Sequence, residues 1–288
     1  MPAVARERVK HFFTVDVEEY FQVVALAPYA PMSKWEGFES RVEASVDQLL
    51  ELMARYDAVG TFFTVGWVAE RHPAMVKRIA AAGHEVASHT YDHVRITHQT
   101  PDAFRESVRR TKRIIEDITG EPVLGFRAPS FSIVRGMEWA LDILIEEGHR
   151  YDSSLFPVRR EGYGYEGGGQ DPYWLDRPAG RLWEVPPATL EFAGRLWPAA
   201  GGAYFRILHP GLVHAALRSA ASRGALGTFY IHPWEWDPGQ PRLHVPMLTR
   251  VRHYSGQSRT FARLERLLSS FSFTSIDEGF SGAQRPQI

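Results

Sequence analysis

Along the chain, short apolar runs of strand length alternate with longer segments in which apolar residues recur at helical spacing. Lys10 to Asp16 is a mostly apolar run, which predicts a strand, and the apolar positions between Val42 and Met53 share one helical face. The pattern predicts further strands at Thr61–Val65, His84–Ser88, Val123–Phe126, His149–Asp152, Leu182–Val185, Thr228–His232 and Phe271–Ile276. It predicts further helices at Pro73–Ala82, Pro101–Gly120, Met137–Glu147, Leu212–Ala221 and Gln257–Phe271.

This alternation predicts an α/β fold with a parallel sheet, and about seven strand–helix units favour closure into a distorted (β/α) barrel of about seven parallel strands. The regular pattern breaks at Glu161 to Pro178, where glycines and aromatic residues are too frequent for a helix or a strand. That segment is either a substrate-facing loop or disordered. Because no linker or internal repeat divides the sequence, we expect a single domain spanning residues 1–288.

Composition narrows the classes of function. The 288 residues carry a net charge of −1, which gives no nucleic-acid-binding footprint, and they include no cysteine, so any metal must be held by His, Asp or Glu. We find no apolar stretch of signal-peptide length at the N-terminus and none of about 20 residues elsewhere. We therefore expect a soluble cytoplasmic protein without a transmembrane segment, either free or at the inner face of the membrane.

Polar residues collect where the predicted strands end. In a barrel of parallel strands the carboxyl ends form the catalytic face, so these side chains are candidates for a shared site. They are Asp16, Glu18, His89, His93, Arg127, Asp152 and His232.

Each candidate also has a plain structural interpretation. His89 and His93, in HTYDH, are either two hydrogen-bonded surface histidines or two metal ligands brought to one side by a single turn. Arg127 is either exposed beside Pro129 or holds a carboxylate through a bidentate contact. His232, in FYIHPWEW, is either a hydrogen-bonded core histidine or a general acid whose pKa depends on burial and a neighbouring carboxylate.

Taken together and in order, these motifs resemble those of the NodB-type polysaccharide deacetylases, which are metal-dependent carbohydrate esterases. That family has an acidic motif (commonly TFDDG), then HxxxH, RxPY, an Asp-containing motif and a late apolar-apolar-x-His, and the matches here run from Thr14 to His232. The stretches DVEEYF, RAPSFS, YDSSLFP and FYIHPWE are more similar still to the subfamily found in exosortase (PEP-CTERM) exopolysaccharide loci. In that subfamily a C-terminal extension, here 234–288, packs on the deacetylase domain.

Two positions depart from the general pattern. Val17 stands where the family has its metal-binding Asp, so that ligand must come from Glu18 or Glu19. If the first strand continues through Val17, alternation puts Asp16 and Glu18 on one face, which favours Glu18. Ser130 stands where the family has Tyr, but the family uses the backbone N–H of that residue as an oxyanion donor.

The resemblance implies a hydrolase acting on carbon–nitrogen bonds other than peptide bonds. It would remove N-acetyl groups from GlcNAc-like sugars of an oligo- or polysaccharide, in exopolysaccharide biosynthesis. Glu18, His89 and His93 would hold a divalent metal, most simply zinc, with cobalt or manganese as alternatives. Asp16 would act as base, oriented by Arg127, while the N–H of Ser130 would face the oxyanion and His232 would act as general acid.

Two other functions stay open at this point. Relatives with this fold hydrolyse small cyclic ureides without metal after altering the acidic motif, although the retained His89 and His93 argue against this. A catalytically silent glycan-binding module would use Trp183, Trp234 and Trp236 as sugar-stacking platforms, unless these tryptophans fill the core. The oligomeric state, the polymer and its linkage do not follow from the sequence.

Overall fold

The computed structural model describes residues 9–160 and 162–283. The first eight residues of the N-terminal region, Glu161 of the irregular segment and residues 284–288 of the C-terminal extension lie outside them. The strands are β1 Lys10–Val17, β2 Thr61–Thr64, β3 Glu85–Ser88, β4 Gly125–Phe126, β5 Tyr151–Asp152, β6 Tyr173–Arg177, β7 Gly180–Glu184, β8 Thr189–Phe192, β9 Arg195–Pro198, β10 Thr228–Ile231 and β11 Ser272–Thr274. The helices are α1 Val42–Arg55, α2 Gly66–Arg71, α3 Pro73–Ala81, α4 Pro101–Thr119, α5 Trp139–Glu146, α6 Gly202–Ile207, α7 Gly211–Ser222, α8 Met247–Tyr254, α9 Gln257–Ser270 and α10 Ile276–Ala283.

The main sheet has the order β10-β1-β2-β3-β4-β5-β7, and neighbours along this row are all parallel. Beyond β7, strand β6 adds an antiparallel edge. Shortly after β7, the Ala188 N–H donates to the carbonyl of Thr228 in β10 at 3.0 Å, so the two ends of the row approach each other. The predicted distorted barrel of about seven parallel strands is confirmed.

Strand β1 is the second strand of this row and has three partners. It pairs with β10 on one side, and on the other side with β2 towards its end and with β11 at its start, where Lys10 aligns with Ser272. Phe13, Val15 and Val17 are completely buried, as expected for a parallel strand covered on both faces. The residues at the end of β1 therefore emerge from the middle of the core.

The helix predicted at Pro101–Gly120 is present as α4. The Thr100 hydroxyl accepts a hydrogen bond from the Ala103 N–H at 3.3 Å, Pro101 occupies the first turn, and Gly120 ends the helix with φ 74°. The helix packs against α2, α3 and α5, and its bounds lie within one residue of the predicted ones.

The segment predicted to be irregular, 161–178, contains strand β6. Its residues Tyr173 to Arg177 pair antiparallel with β7, and Pro178 and Ala179 make the two-residue turn between them. The glycines that suggested irregular structure stop at Gly169, after which Tyr173 and Trp174 supply aromatic side chains that suit a strand. The β8–β9 hairpin and helices α2, α6, α8 and α10 are likewise absent from the sequence-based predictions.

Candidate metal centre and catalytic cleft

The carboxyl ends of the central strands open into a cleft of about 430 Å³. Arg127 lies beneath this cleft and is completely buried. Six of the eight residues that the sequence analysis names as candidates line it: Asp16, Glu18, His89, His93, Ser130 and His232.

Strand β1 decides which carboxylates enter the cleft. It continues through Val17, so Asp16 and Glu18 point to the same side, and both are almost completely buried. Glu19 points away and accepts hydrogen bonds from the backbone N–H of Arg41, at 3.0 and 3.1 Å, and of Val42 at 3.4 Å. The Glu19 carboxylate therefore anchors the start of α1 and does not reach the cleft.

Glu18, His89 and His93 form a cluster in which one ligand atom of each lies within 4.8 Å of the others. Within residues 9–160 and 162–283 it is the one group of three such side chains arranged to hold a metal ion. The donor set of two imidazole nitrogens and one carboxylate oxygen suits zinc and related divalent ions.

The hydrogen bonds around this cluster prepare both imidazoles for metal binding. His89 Nδ1 lies 2.7 Å from the carbonyl oxygen of Arg127, and His93 Nδ1 lies 2.8 Å from that of Gln22. Because a carbonyl can only accept, both Nδ1 atoms carry the proton, which leaves both Nε2 lone pairs free. Burial lowers the pKa of His89 to about 4, so its imidazole is neutral as a ligand must be.

The carboxylate of Glu18 is only half satisfied. Its Oε1 accepts a hydrogen bond from Trp234 Nε1 at 2.8 Å. Its buried Oε2 has no hydrogen-bond donor among the described residues and lies 2.6 Å from His93 Nε2. A buried carboxylate oxygen facing an imidazole lone pair is unfavourable unless a cation lies between them. The residues present therefore fit a divalent metal.

Asp16 is held by Arg127. The Arg127 Nη1 donates to Asp16 Oδ1 at 2.7 Å and to the Thr14 hydroxyl at 2.8 Å, while Nε and Nη2 donate to the carbonyl and the hydroxyl of Ser153. The guanidinium also lies over the Phe63 ring, with 4.2 Å from Cζ to the ring centroid. The predicted bidentate contact is wrong, because Ser153 takes the other nitrogens, and Asp16 Oδ2 stays open to the cleft.

His232 faces Asp16 across the cleft and is backed by a second carboxylate. Its Nε2 lies 3.7 Å from Asp16 Oδ2, and its Nδ1 lies 2.6 Å from Glu235 Oε1. Arg206 Nε in turn donates to Glu235 Oε2 at 3.1 Å, and both residues are buried. Although burial alone would lower the pKa of His232, the carboxylates of Glu18, Glu235 and Asp16 raise it to about 9.

The backbone beside the cleft adopts conformations that cost free energy for residues with a side chain. Thr90, His93, Ser130 and Phe131 all have positive φ, between 53° and 60°. Such left-handed residues other than glycine cluster at functional sites, where the surrounding structure holds them in place. In RAPSF, Ser130 follows Pro129, and its φ of 53° and ψ of 28° bring it to the wall of the cleft.

Asp152 follows a strand end as predicted, but it does not line the cleft. It aligns with Glu184 of β7, and both carboxyls are completely buried. Ser154 Oγ donates to Asp152 Oδ1 at 2.5 Å, and the Leu155 N–H donates to Glu184 Oε1 at 3.0 Å. Burial raises the pKa of Asp152 to about 6 and, together with the neighbouring Asp152, raises that of Glu184 well above its usual value, so the pair retains a proton near neutral pH.

The sequence does not predict the roles of three residues of the site, Glu235, Trp234 and Arg206. Glu235 lies three positions after His232 in HPWEW, a spacing that could have indicated a contact within one turn. Trp234 was considered only as a sugar platform, and Arg206 comes from a helix that the pattern does not predict. Trp183, Trp234 and Trp236 are 4–8% exposed, so the proposed stacking platforms are wrong because these side chains pack in the interior.

Comparisons with known proteins agree with this geometry. Residues 36–142 match the family model described as polysaccharide deacetylase, and residues 153–281 match a model described as a domain of unknown function, DUF3473. A peptidoglycan-N-acetylglucosamine deacetylase of Bacillus cereus is 33% identical over 82 residues, which is 28% of this chain and 38% of the relative. A peptidoglycan deacetylase of Helicobacter pylori is 30% identical over 115 residues, 39% of this chain and 38% of the relative.

The matched stretches thus span less than two-fifths of the length of these relatives. Among solved structures, one from Mycobacterium smegmatis, assigned as a polysaccharide deacetylase, superposes with a TM-score of 0.65 at 20% identity, covering 100% of this chain and 99% of that one. This likeness concerns the fold. None of the described helices has the length and apolar character needed to cross a bilayer.

Proposed function

We propose that the chain is a polysaccharide deacetylase, as the match of residues 36–142 to that family indicates, and that it hydrolyses the N-acetyl group of GlcNAc-containing glycans with the help of a divalent metal. The observation that carries the proposal is the arrangement of side chains in the cleft. The Glu18 carboxylate and the Nε2 atoms of His89 and His93 lie together, and next to them are His232 and the Asp16 oxygen that faces the cleft. This arrangement supplies a metal site, a base and an acid within a few ångströms.

Glu18, His89 and His93 are the residues that would hold the metal. A divalent ion at such a site polarises the acetyl carbonyl and lowers the pKa of a bound water molecule to about 7. The Nδ1 hydrogen bonds of His89 and His93 fix both rings, and Trp234 fixes the Glu18 carboxylate. We propose zinc, with cobalt and manganese as alternatives.

Asp16 and His232 would move the protons. Asp16 Oδ2 takes the proton of the attacking water, while Arg127 holds Oδ1 and balances its charge. His232 Nε2 then delivers a proton to the amine nitrogen as the carbon–nitrogen bond breaks, which yields acetate and a free amino sugar. The N–H of Ser130, at the wall of the cleft, would donate to the oxyanion.

The experiment is acetate release from acetylated chito-oligosaccharides, with and without a chelator. We expect chelation to abolish release and zinc, cobalt or manganese to restore it. Asp16→Asn serves as the inactive control that keeps the metal ligands. Full acetate release by a demonstrably metal-free preparation would contradict the metal dependence. No acetate release, together with metal-free hydrolysis of a small cyclic ureide, would favour the alternative function.

We further propose that the polymer is an exopolysaccharide. The support is the similarity of DVEEYF, RAPSFS, YDSSLFP and FYIHPWE to the exosortase-associated subfamily. Comparison of purified peptidoglycan with an acetylated, GlcNAc-containing exopolysaccharide as substrate tests the choice. Faster release of acetate from peptidoglycan would contradict it.

We also propose that residues 234–288 belong to the same folding unit. Two contacts support this: Trp234 bonds to Glu18, and β11 pairs with β1. In addition, Leu264, Leu267 and Leu268 of α9 are buried in the main core. A chain ending at Gly239 should therefore lose cooperative unfolding and activity. If it stayed folded, monodisperse and fully active, the segment would be an independent appendage.

A further inference from the structure

Six exposed aliphatic residues gather beside the mouth of the cleft, on two segments that are far apart in sequence. We call this group the apolar rim. Met247 and Leu248 are each 72% exposed and Val251 is 51% exposed, all on α8. Ile207, Leu208 and Leu212, at the junction of α6 and α7, are 40–45% exposed. Contiguous exposed apolar residues mark surfaces that bind something.

Hydrogen bonds from Arg206, the residue before Ile207, hold the two segments of the rim together. Its Nη2 donates to the carbonyl oxygen of Arg252 at 2.8 Å, and its Nη1 donates to that of Ser255, directly after α8. Ile207, Leu208 and Arg252 also line the cleft that contains His232. The apolar rim is therefore continuous with the entrance to the candidate active site.

The charged residues next to the rim are arginines. Arg206 precedes Ile207 and pairs with the buried Glu235. Arg250 and Arg252 flank Val251 on α8 and are exposed, and no described carboxylate forms an ion pair with either.

Aliphatic side chains among unpaired arginines suit one kind of partner better than others. Sugar rings stack on aromatic faces, which the rim does not offer. A second copy of this chain would bring two positively charged faces together. Lipid bilayers with anionic headgroups bind surfaces that combine inserted aliphatic residues with cations.

We propose that the apolar rim docks on an anionic lipid surface, with the mouth of the cleft beside it. Met247, Leu248 and Val251 enter the boundary between headgroups and acyl chains, and Arg250 and Arg252 contact the headgroup phosphates. Where the proposed deacetylase function also holds, on which this last step rests, the substrate is a glycan presented at the membrane surface.

Vesicle sedimentation tests the proposal. The protein is mixed with vesicles of phosphatidylglycerol and phosphatidylethanolamine, or with vesicles of phosphatidylcholine alone, and the bound fraction is measured. We expect binding to the anionic vesicles that weakens as salt is raised. Met247→Gln with Leu248→Gln should weaken it about tenfold or more, because both side chains lose apolar contact. Arg250→Glu should weaken it roughly tenfold by reversing a charge.

Val9→Gln is the matched control, because Val9 is 49% exposed but precedes β1 at the opposite end of the barrel. It should bind vesicles as the unaltered protein does. Acetate release from soluble acetylated chito-oligosaccharides should be the same for Met247→Gln/Leu248→Gln as for the unaltered protein, which separates this inference from the proposed chemistry.

Three outcomes would overturn the proposal. One is the absence of binding to anionic vesicles, and another is equal binding by the Met247→Gln/Leu248→Gln and Val9→Gln variants. The third is sedimentation equilibrium showing a dimer that the Met247→Gln/Leu248→Gln change dissociates, since the rim would then be a contact between copies.

Discussion

Asp16 in β1 and Asp152 in β5 are both buried carboxyls at the carboxyl ends of strands in one sheet, yet their surroundings differ. Asp16 has the Arg127 guanidinium on one oxygen and the open cleft at the other. Asp152 faces another carboxyl, that of Glu184, and bonds to Ser154. Arg127 lies between the two regions, because its other nitrogens donate to Ser153.

The difference shows that a strand-end position alone does not define a catalytic acid. Partners determine the protonation state, and the protonation state determines the chemistry. Asp16 has one oxygen held by a guanidinium and the other open to the cleft, whereas the two facing carboxyls retain a proton and form a hydrogen-bonded pair. The pair supports the loop after β5, which in turn supplies Ser153 to Arg127.

The largest effects should come from the carboxylates of β1. Asp16→Asn should lower kcat about a thousandfold and keep the metal, because it removes the base alone. Glu18→Gln should lose both metal and turnover. Glu19→Gln is the matched control and should keep both, since its side chain bonds to the start of α1. Metal analysis and kcat of the three purified variants decide this, and loss of metal from the Glu19 variant with retention in the Glu18 variant would reverse the assignment.

Substitutions of the proposed general acid, His232, and of its partner Glu235 should have the next largest effect on kcat. His232→Ala should lower kcat about a hundredfold, and Glu235→Gln about tenfold because it positions the imidazole, in both cases with metal content unchanged. Both losses should be much smaller on 4-nitrophenyl acetate, whose leaving group needs no proton. Asp237→Asn, a neighbouring carboxylate that pairs with Arg41, is the control. Equal losses on amide and aryl ester would rule out the general-acid role.

A smaller effect is expected from the indole that bonds to Glu18. Trp234→Phe removes the hydrogen bond to Oε1 and should weaken metal binding about tenfold. Trp236→Phe is its control, because Trp236 is equally buried and its Nε1 has no hydrogen-bond partner. Metal affinity is measured by competition with a chromogenic chelator. Similar affinities for the two variants would show that the Trp234 contact does not orient the ligand.

The smallest effect on activity should come from the carboxyl pair. Folding raises the pKa values of both Asp152 and Glu184. The pair's contribution to the free energy of unfolding is therefore complete below about pH 4 and is lost as pH rises, through about 6 for Asp152. Glu184→Gln should leave kcat within about twofold. Between pH 5 and 8, the free energy of unfolding of this variant should fall by about 1 to 3 kcal/mol less than that of the unaltered protein. Denaturant unfolding at several pH values, with exposed Glu51→Gln as control, measures this. Parallel pH profiles for the unaltered protein and Glu184→Gln would show that the pair does not retain its proton.

The sequence predicted the barrel because its signals are local. Alternation along β1 is enough to put Asp16 and Glu18 on one face, and Thr100 and Gly120 bound α4 through their own side-chain and backbone preferences. Contacts between distant segments could not be predicted in this way. Arg206 meets Glu235 only once α6 is docked, and Asp152 meets Glu184 only through the pairing of β5 with β7. The β6 strand was missed because glycines dominate the beginning of its segment.

The pairing of β1 with β10 and β11 has a consequence for folding during synthesis. The strand that carries Asp16 leaves the ribosome long before two of its partners, because Phe12 pairs with Thr228 and Lys10 with Ser272, more than two hundred residues later. Until β10 is synthesised, one side of β1 exposes unpaired backbone, and the start of its other side does so until β11 follows. Closing such long loops is entropically costly, so we expect late and slow completion of the barrel. During synthesis the nascent chain would then need protection from aggregation until β11 emerges.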